Sequence, residues 1–307
     1  MSRIRIATRG SDLALWQARH VASAIEAKLG AQTELVPLKT TGDRLQGSLA
    51  KVGGKGLFVK EIEGALLEGR ADVAVHSAKD LPAKDPAALA FVAFPERADP
   101  RDALVSRTPG ASLASLPRGA RVGTGSVRRT AQLRRLRPDL EIVPLRGNVP
   151  TRLRKLDEDD LDAIVLACAG LDRLALAAAI VERIEVETLL PAVAQGALAI
   201  QARAGETLAS DLAALDDAQT HTRVVVERAF QARLGADCNV PVAAHAELEA
   251  QDVWLRGLVI APDGGERVKG EVRVPQGEAR DAGDALAARL LEEGGAAILS
   301  RAREGKA

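Results

Sequence analysis

The chain has 307 residues, of which 47% are apolar, so it is long enough to bury more than one core. Its 42 basic and 42 acidic side chains cancel, and only 2% of the residues are aromatic, which argues against a nucleic-acid-binding protein. The stretch from Arg121 to Lys155 departs from this balance with ten cations and two acids, and there we expect an anionic ligand.

The sequence indicates neither a membrane segment nor a disulfide framework. The start, Met1 to Ile6, lacks the apolar core of a signal peptide, and no apolar run is long enough to cross a bilayer. The only cysteines are Cys168 and Cys238, without the paired spacing of a zinc site. We therefore expect a cytoplasmic protein with reduced thiols, no metal, no membrane partner and a monomeric state.

The first two thirds of the chain alternate β-type runs with helical stretches, which predicts an α/β fold with largely parallel sheets. The first such series comprises a strand at 4–7, a helix at 13–29 capped by Ser11 or Asp12, a strand at 35–38, a helix at 59–67 and a strand at 72–75. A similar series returns at 121–123, 127–136, 141–146 and 162–165. This weak repeat predicts two similar lobes with a cleft between them.

Two further segments complete the pattern. The loop from Thr40 to Gly56 contains five glycines without periodicity, so it is either a lid or disordered. After Thr220 the predicted elements are a helix at 222–233, strands near 243–249, 253–260 and 271–274, and a helix at 279–293. They indicate a small α+β domain. A proline-containing link at 95–101 marks the predicted passage between the two lobes, and a second link lies near 190–192.

Two glycine-rich segments resemble nucleotide-binding motifs but fail in detail. Gly53-Gly54-Lys55-Gly56 lacks the Ser or Thr that follows the lysine of a P-loop. The turn Gly123-Thr124-Gly125-Ser126 opens a helix, but Arg128 stands where a dinucleotide fingerprint has its third glycine. Both nucleotide interpretations are therefore rejected.

The second of these segments has the composition of a carboxylate site. It offers helix N-terminal amides, the hydroxyls of Thr124 and Ser126, and the adjacent guanidinium groups of Arg128 and Arg129. Other residues at strand-to-helix turns are expected to converge on the same cleft: Arg9, Ser11, Arg146 and Arg152. The alternative for the arginine pair is a solvated helix face.

Two more segments contain reactive residue types. Lys79-Asp80 follows the third strand and precedes Pro82, so it is either an acid/base pair or an ordinary surface loop. Cys238 lies on a polar loop after a helix, which suits a reactive thiol as well as a small buried side chain. Cys168 ends an apolar run and is predicted to be in the core.

Taken together, the motifs resemble those of the porphobilinogen deaminase family, also called hydroxymethylbilane synthases. The resemblance covers nearly the whole chain in order, and the cysteine loop ends it. The motifs before that loop are Ala7-Thr8-Arg9-Gly10-Ser11, Lys51-Val52-Gly53-Gly54-Lys55-Gly56-Leu57-Phe58, His76-Ser77-Ala78-Lys79-Asp80-Leu81-Pro82, Gly123-Thr124-Gly125-Ser126-Val127-Arg128-Arg129, Leu145-Arg146-Gly147-Asn148 and Pro191-Ala192-Val193-Ala194-Gln195-Gly196.

The resemblance implies two lobes like those of type II periplasmic binding proteins and a third, α+β domain. It places domain 1 at 1–97 with 195–217, domain 2 at 100–192 and domain 3 at 219–307. The implied enzyme is a transferase that condenses four porphobilinogen molecules, with loss of ammonia, to hydroxymethylbilane. The implied cofactor is dipyrromethane, bound through a thioether to Cys238.

The resemblance also implies residue roles. Asp80 is the catalytic carboxylate. The residues implied to bind the cofactor are Cys238, Ser77, Lys79, Asp80, Thr124, Ser126, Arg128, Arg129, Arg146 and Gly147. The residues implied to bind the substrate are Arg9, Ser11, Phe58, Arg146, Arg152, Arg173 and Gln195.

One departure from the family pattern precedes the cysteine. Ala236-Asp237 replaces the usual Gly-Gly, and a neighbouring carboxylate disfavours the thiolate that would form the thioether. The alternative function is a two-lobed protein that binds a small anion without catalysis, because a fold alone does not decide function.

Overall fold

The computed structural model describes residues 3–40, 59–82, 86–236 and 240–304. The chain forms two compact units, one of Met1–Ala98 with Ala197–Val224 and one of Asp99–Gly196 with Val225–Ala307. The first passage between the units falls within the link predicted at 95–101. The three-domain boundaries expected from the sequence stay a prediction, since the C-terminal residues group with the second lobe.

Both units are built from strands and helices that are numbered here in chain order over the described residues. The strands are β1 (Ile4–Arg9), β2 (Thr33–Leu38), β3 (Val73–Ser77), β4 (Leu89–Ala93), β5 (Asp102–Ser106), β6 (Arg121–Thr124), β7 (Glu141–Pro144), β8 (Ala163–Ala167), β9 (Glu182–Ile184), β10 (Leu198–Arg203), β11 (Val242–Glu249), β12 (Asp252–Ile260) and β13 (Arg267–Pro275). The α-helices are α1 (Asp12–Leu29), α2 (Lys60–Leu67), α3 (Val127–Leu136), α4 (Val149–Glu158), α5 (Cys168–Arg173), α6 (Thr207–Leu212), α7 (Ala218–Leu234), α8 (Ala279–Leu290) and α9 (Ala296–Glu304).

The first unit contains a five-stranded sheet in the order β2-β1-β3-β10-β4. Strands β2, β1 and β3 are parallel, whereas β10 runs antiparallel to both β3 and β4. Helices cover both faces, because successive side chains of a strand point to opposite sides. Thus Ile6 packs with Ile25 of α1, and the next residue, Ala7, packs with Ile62 of α2.

The second unit repeats this arrangement in a sheet of order β7-β6-β8-β5-β9, which confirms the repeat expected from the sequence. The two lobes also share a hydrogen bond. In the first lobe, Arg5 N of β1 donates to Asp72 Oδ2, just before β3, at 2.9 Å. In the second lobe, Arg121 N of β6 donates to Asp162 Oδ2, just before β8, at 2.7 Å. The predicted α/β class is therefore confirmed.

The C-terminal part of the second unit has the predicted α+β composition, with an antiparallel sheet of order β11-β12-β13. Phe230 of α7 is fully buried, and a Cβ at Gly257 of β12 would lie 2.6 Å from its ring. The helix predicted at 279–293 differs from the structure, where α8 ends at Leu290 and α9 follows a π-turn at Leu291–Gly295. Gly294, at φ +112°, interrupts the helical backbone there.

Within the described ranges, no helix is long and apolar enough to cross a membrane.

Candidate functional site

One group of the predicted site residues lies where β1 and β3 end. Arg9 is the last residue of β1, and Ser77 is the last residue of β3. Because these strands are parallel neighbours, their carboxyl ends meet at one edge of the sheet. Ser11 caps α1 at this edge, and Lys79 and Asp80 follow β3 in a short 3-10 turn. The structure therefore brings these five residues to the same edge of the first lobe.

The turn that carries Asp80 is held from two elements. The Ser77 hydroxyl lies 2.8 Å from Gln17 Nε2 of α1, and Ala78 N donates to Ala197 O at 3.0 Å. Lys79 is half-buried, whereas Asp80 is exposed. The Asp80 carboxylate is thus presented to solvent from a backbone that is fixed on both sides.

His76 supports β3 from within the core. Burial lowers the pKa of His76 to about 4, so the imidazole is neutral at neutral pH. Its Nε2 lies 3.0 Å from Gln201 Oε1, and Gln201 Nε2 donates to Glu63 Oε1 at 3.1 Å. Since Gln201 uses its amide N–H toward Glu63, its oxygen accepts from His76, which assigns the proton to Nε2. His76 is therefore a structural histidine with a satisfied hydrogen bond in the core.

A second group of predicted residues lies at the turn from β6 into α3. Ser126 is the N-cap, and its side chain accepts from Arg129 N. Gly125 is required in this turn, because a Cβ there would lie 2.4 Å from the carbonyl oxygen of Leu145 and 4.0 Å from Arg146 Cδ. The close approach places the loop after β7 beside the N-terminus of α3, so hydroxyls, helix amides and Arg146 lie together.

Arg128 and Arg129 do not form a solvated helix face, and that alternative is wrong. Both are 4% exposed, and both pair with the fully buried Asp102 at the start of β5. Arg128 Nη2 donates to Asp102 Oδ2 at 2.8 Å, and Arg129 Nη2 donates to Oδ1 at 2.6 Å. Burial alone would raise the pKa of Asp102, but the charges of Arg128 and Arg129 outweigh it and lower this pKa to about 2.

The three charges leave this group with one net positive charge, because two arginines share a single carboxylate. The buried Gln195 also contacts the group, with its Nε2 2.8 Å from Asp102 Oδ1 and 2.7 Å from Pro100 O. Burial also lowers the pKa of Arg128. Over the described ranges, the buried Nε of Arg128 has no hydrogen-bond acceptor.

The loop after β7 adds two more cations. Gly147 adopts φ +120°, and a Cβ at this position would lie 2.6 Å from Thr151 Cγ2, so only glycine fits. Asn148 caps α4, and Arg152 Nε donates to the carbonyl of Gly147 at 2.7 Å. Arg146 is exposed and forms no ion pair with any acid of the described ranges. Its guanidinium is therefore the most accessible cation of this edge.

Arg173 ends α5 and donates from Nη2 to the carbonyl oxygen of Gly196 at 2.7 Å. Burial lowers its pKa to about 10, against the opposing effect of the Asp172 charge. At neutral pH the guanidinium is still protonated, so it adds a further, partly desolvated cation to the second lobe.

Three predictions fall outside the described residues: the cofactor cysteine Cys238 with its neighbour Asp237, the aromatic Phe58, and the loop Thr40–Gly56 beyond Thr40. Cys168, which the sequence places in the core, is buried and has no exposed surface. Burial raises the pKa of its thiol to about 12, so it has no reactive character at neutral pH.

Sequence reasoning missed Asp102, the residue that organises the two arginines. The signal available was indirect: two adjacent arginines of a helix that packs on a sheet require a buried counter-charge. Nothing in the pattern shows which of the 42 acidic residues supplies it. In the described part of the chain, no group of acidic, histidine or cysteine side chains could hold a metal ion.

Comparisons with known proteins cover almost the entire chain. The family model described as "Porphobilinogen deaminase, dipyromethane cofactor binding domain" matches residues 4–211, and "Porphobilinogen deaminase, C-terminal domain" matches residues 221–292. A curated porphobilinogen deaminase from Syntrophomonas wolfei subsp. wolfei is 48% identical over 307 residues, which span 99% of this chain and 100% of the relative.

Solved structures of low sequence identity are similar as well. The periplasmic VFT2 domain of BvgS from Bordetella pertussis has a TM-score of 0.41 and 17% identity, over 68% of this chain and 85% of that chain. A periplasmic substrate-binding protein of an ABC transporter from Coxiella burnetii has a TM-score of 0.43 and 13% identity, over 75% of this chain and 96% of that chain.

Proposed function

Because this chain belongs to the porphobilinogen deaminase family, we propose that Asp80 is its catalytic carboxylate, that Cys238 carries its cofactor and that its clustered arginines bind carboxylates. The enzyme is a transferase that condenses four porphobilinogen molecules head to tail, releases ammonia and yields the linear tetrapyrrole hydroxymethylbilane. The observation that carries the proposal is the ordered series of family motifs along the chain, together with Arg9 at the end of β1 and Asp80 just after β3.

The residues of the second lobe fit a dipyrromethane cofactor. Each pyrrole ring carries an acetate and a propionate, so the group that must be bound is strongly anionic. The lobe offers the N-terminal amides and the hydroxyls of Thr124 and Ser126, the exposed Arg146 and the net positive charge around Asp102. Guanidinium groups suit carboxylates because their planar N–H groups donate in pairs. We assign Arg128, Arg129, Arg146 and the backbone of Gly147 to the cofactor.

The arginines that remain are assigned to the growing chain and the incoming substrate. Arg9 and Ser11 lie at the edge of the first lobe, while Arg152 and Arg173 lie in the second lobe. Every addition brings two more carboxylates, so successive steps require more cations than the cofactor alone. Phe58 and Gln195 complete this assignment, and Gln195 acts through its contact with Asp102.

Asp80 suits the chemical step because its carboxylate is exposed on a fixed turn beside Lys79. When the C–N bond of porphobilinogen breaks, the nitrogen leaves with the electron pair and positive charge develops on the pyrrole. An ionised carboxylate that accepts the pyrrole N–H stabilises this charge. In its protonated form the same group donates a proton to the leaving amine. Lys79 and Ser77 orient the turn and the cofactor carboxylates.

When bound, dipyrromethane supplies the nucleophilic pyrrole carbon to which the first substrate is joined. The task assigned to Cys238 is to hold this group covalently through its sulfur, and the adjacent Asp237 makes the thiolate less favourable. The cofactor-loading step is therefore expected to be slower in this chain than in a variant with glycine at position 237.

We also propose that the enzyme acts as a monomer in the cytoplasm. Among the described residues, the exposed large apolar side chains are Leu67 and Leu136, which offers no apolar patch for an obligate partner. Light scattering on a sizing column tests the monomer, and a mass near twice 32.3 kDa would contradict it.

The cofactor assignment is tested by the intact mass of the chain after expression in a host that makes porphobilinogen. We expect an adduct of two pyrrole units that disappears in Cys238→Ser and persists in the matched control Cys168→Ser. An unmodified wild-type mass would favour the alternative of a small-anion-binding protein without catalysis.

The catalytic assignment is tested with Asp80→Asn, against Asp281→Asn on the exposed face of α8 as the control. We expect the Asp80 variant to retain its fold and its adduct but to lose turnover by roughly 10²-fold or more, because a charge-stabilising carboxylate is removed. Normal turnover in this variant would show that Asp80 is not the catalytic group.

A further inference from the structure

Glu227 is a fully buried carboxylate in α7 that none of the family motifs includes. Its Oε2 accepts the backbone N–H of Ala194 at 2.6 Å, and its Oε1 accepts the backbone N–H of Ala246 at 2.8 Å. His245 Nδ1 lies 3.5 Å from the same Oε1. A buried carboxylate is tolerated only when its oxygens accept hydrogen bonds, so these contacts set the position of the Glu227 side chain.

The first of these contacts ends on a strained residue. Ala194 has φ +55°, in the left-handed region that a residue with a Cβ adopts only under constraint. The neighbouring Gln195 N donates to Ala192 O at 3.0 Å, which closes a tight turn. The short hydrogen bond from Ala194 N to the Glu227 carboxylate stabilises this backbone conformation directly.

The turn that Glu227 contacts supports two of the arginines assigned to anion binding. Gln195 Nε2 donates to Asp102 Oδ1 at 2.8 Å, and the same Oδ1 accepts a hydrogen bond from Arg129 Nη2 at 2.6 Å. The carbonyl of the next residue, Gly196, accepts Arg173 Nη2 at 2.7 Å. A shift of the turn would therefore move the hydrogen-bond partners of Arg129 and Arg173 together.

We infer that Glu227 is a positioning residue for the anion site: it holds the turn Ala194–Gly196 so that Arg129 keeps its orientation toward the cofactor carboxylates and Arg173 toward those of the substrate. The inference rests on the proposed function, because it assigns a ligand to these arginines. Helix α7, which precedes Cys238 in the chain, would then also support the binding site of the second lobe.

The substitution that isolates this role is Glu227→Gln, which preserves size and shape. The backbone N–H groups of Ala194 and Ala246 donate to the two different oxygens of Glu227. A glutamine has a single acceptor oxygen, so one of these N–H groups faces an amide N–H instead. The matched control is Glu249→Gln on β11, an exposed glutamate that pairs with Arg273.

The experiment compares the full-length variants by steady-state kinetics with porphobilinogen, by intact mass and by thermal melting. In Glu227→Gln we expect KM to rise about tenfold, with kcat within about twofold of wild type, because one hydrogen bond to a charged group is lost. The share of chains that carry the two-ring adduct should fall as well, while Glu249→Gln should match wild type in all three measurements.

A second substitution tests whether Glu227 acts by stabilising the backbone conformation of Ala194. Glycine adopts φ near +55° without a steric penalty, so Ala194→Gly in the Glu227→Gln background should recover at least about a third of the lost affinity. The shorter Glu227→Asp, which retains the charge and both acceptor oxygens, should raise KM less than glutamine does and provides a folded variant if glutamine abolishes folding.

Three outcomes would overturn the inference. The first is a lowered melting temperature with unchanged KM in both Glu227 variants, which would mark a structural role alone. The second is a double variant whose KM equals that of Glu227→Gln, and the third is an equal rise in KM for Glu249→Gln. Failure of the proposed function is distinguishable, because the wild-type chain would then carry no adduct and turn over no porphobilinogen.

Discussion

The buried charge group around Asp102 allows a quantitative prediction for Asp102→Asn. The wild-type carboxylate is fully buried and accepts from Arg128 Nη2, Arg129 Nη2, Arg129 Nε and Gln195 Nε2 at 2.8, 2.6, 3.0 and 2.8 Å. Asparagine has one acceptor oxygen and an NH₂ group that must face donors. It leaves two buried guanidinium groups without a counter-charge, and breaking a buried ion pair in this way costs about 3–5 kcal/mol.

The free-energy change converts into a large shift of the melting temperature. For a domain of this size each kcal/mol corresponds to about 2–4 °C, so Asp102→Asn should melt roughly 6–20 °C below wild type. Differential scanning calorimetry measures the shift directly. The same substitution at Asp160, whose side chain is 83% exposed and pairs with Arg107 at the surface, is the matched control.

The control should shift the melting temperature by no more than about 2 °C, because exposed ion pairs contribute little. If Asp102→Asn behaved like the control, the reasoning would be refuted: the two arginines would then not depend on this carboxylate. A destabilised variant with the expected shift should also lose part of its two-ring adduct, since Arg128 and Arg129 would no longer be held in place.

Three other predictions concern Cys168, Gly125 and the pH dependence of the Asp102 group. Iodoacetamide should not label Cys168 before the protein unfolds, because burial raises the pKa of the Cys168 thiol to about 12. Peptide mass spectrometry of native and denatured samples measures this labelling. Gly125→Ala should cost about 1–3 kcal/mol in thermal melting, since its Cβ would lie 2.4 Å from the Leu145 carbonyl, whereas Gly277→Ala, with no atom within 4 Å, should not destabilise. The pKa of Asp102 is about 2 when folded and about 3.9 when unfolded, so its stabilising contribution is complete above pH ~4 and disappears as the pH falls toward 2. The stability difference between wild type and Asp102→Asn should therefore narrow over that interval in denaturant titrations, and a constant difference would contradict the assignment.

Much of the local structure could be predicted from the sequence because short-range chemistry determines it. The helix predicted at 127–136 is observed with the same bounds, since Ser126 caps its start and its apolar positions recur on one face. The helix at 13–29 begins one residue earlier in the structure, again after a serine cap. The family motifs were equally visible, because each is a contiguous run of residues.

The antiparallel strands of both sheets were not predicted. Strand β10 lies in the segment 195–217 that the family resemblance assigns to domain 1, but no residue pattern predicted the strand itself. Strand β5 is separated from its neighbour β8 by two strands and two helices. These pairings join strands that are far apart in the chain, and no local pattern encodes which strands become neighbours.

The sequence by itself determined most helices and parallel strands, the repeat and the residue types that we propose to bind carboxylates, because these depend on neighbours along the chain. Only the tertiary structure decided how those residues are supported. Asp102 meets Arg128 and Arg129 across 26 and 27 residues, and Glu227 meets Ala194 across 33 residues. The reason is that a buried charge needs a partner of opposite sign or complementary donors, and the fold selects that partner from many equivalent residues.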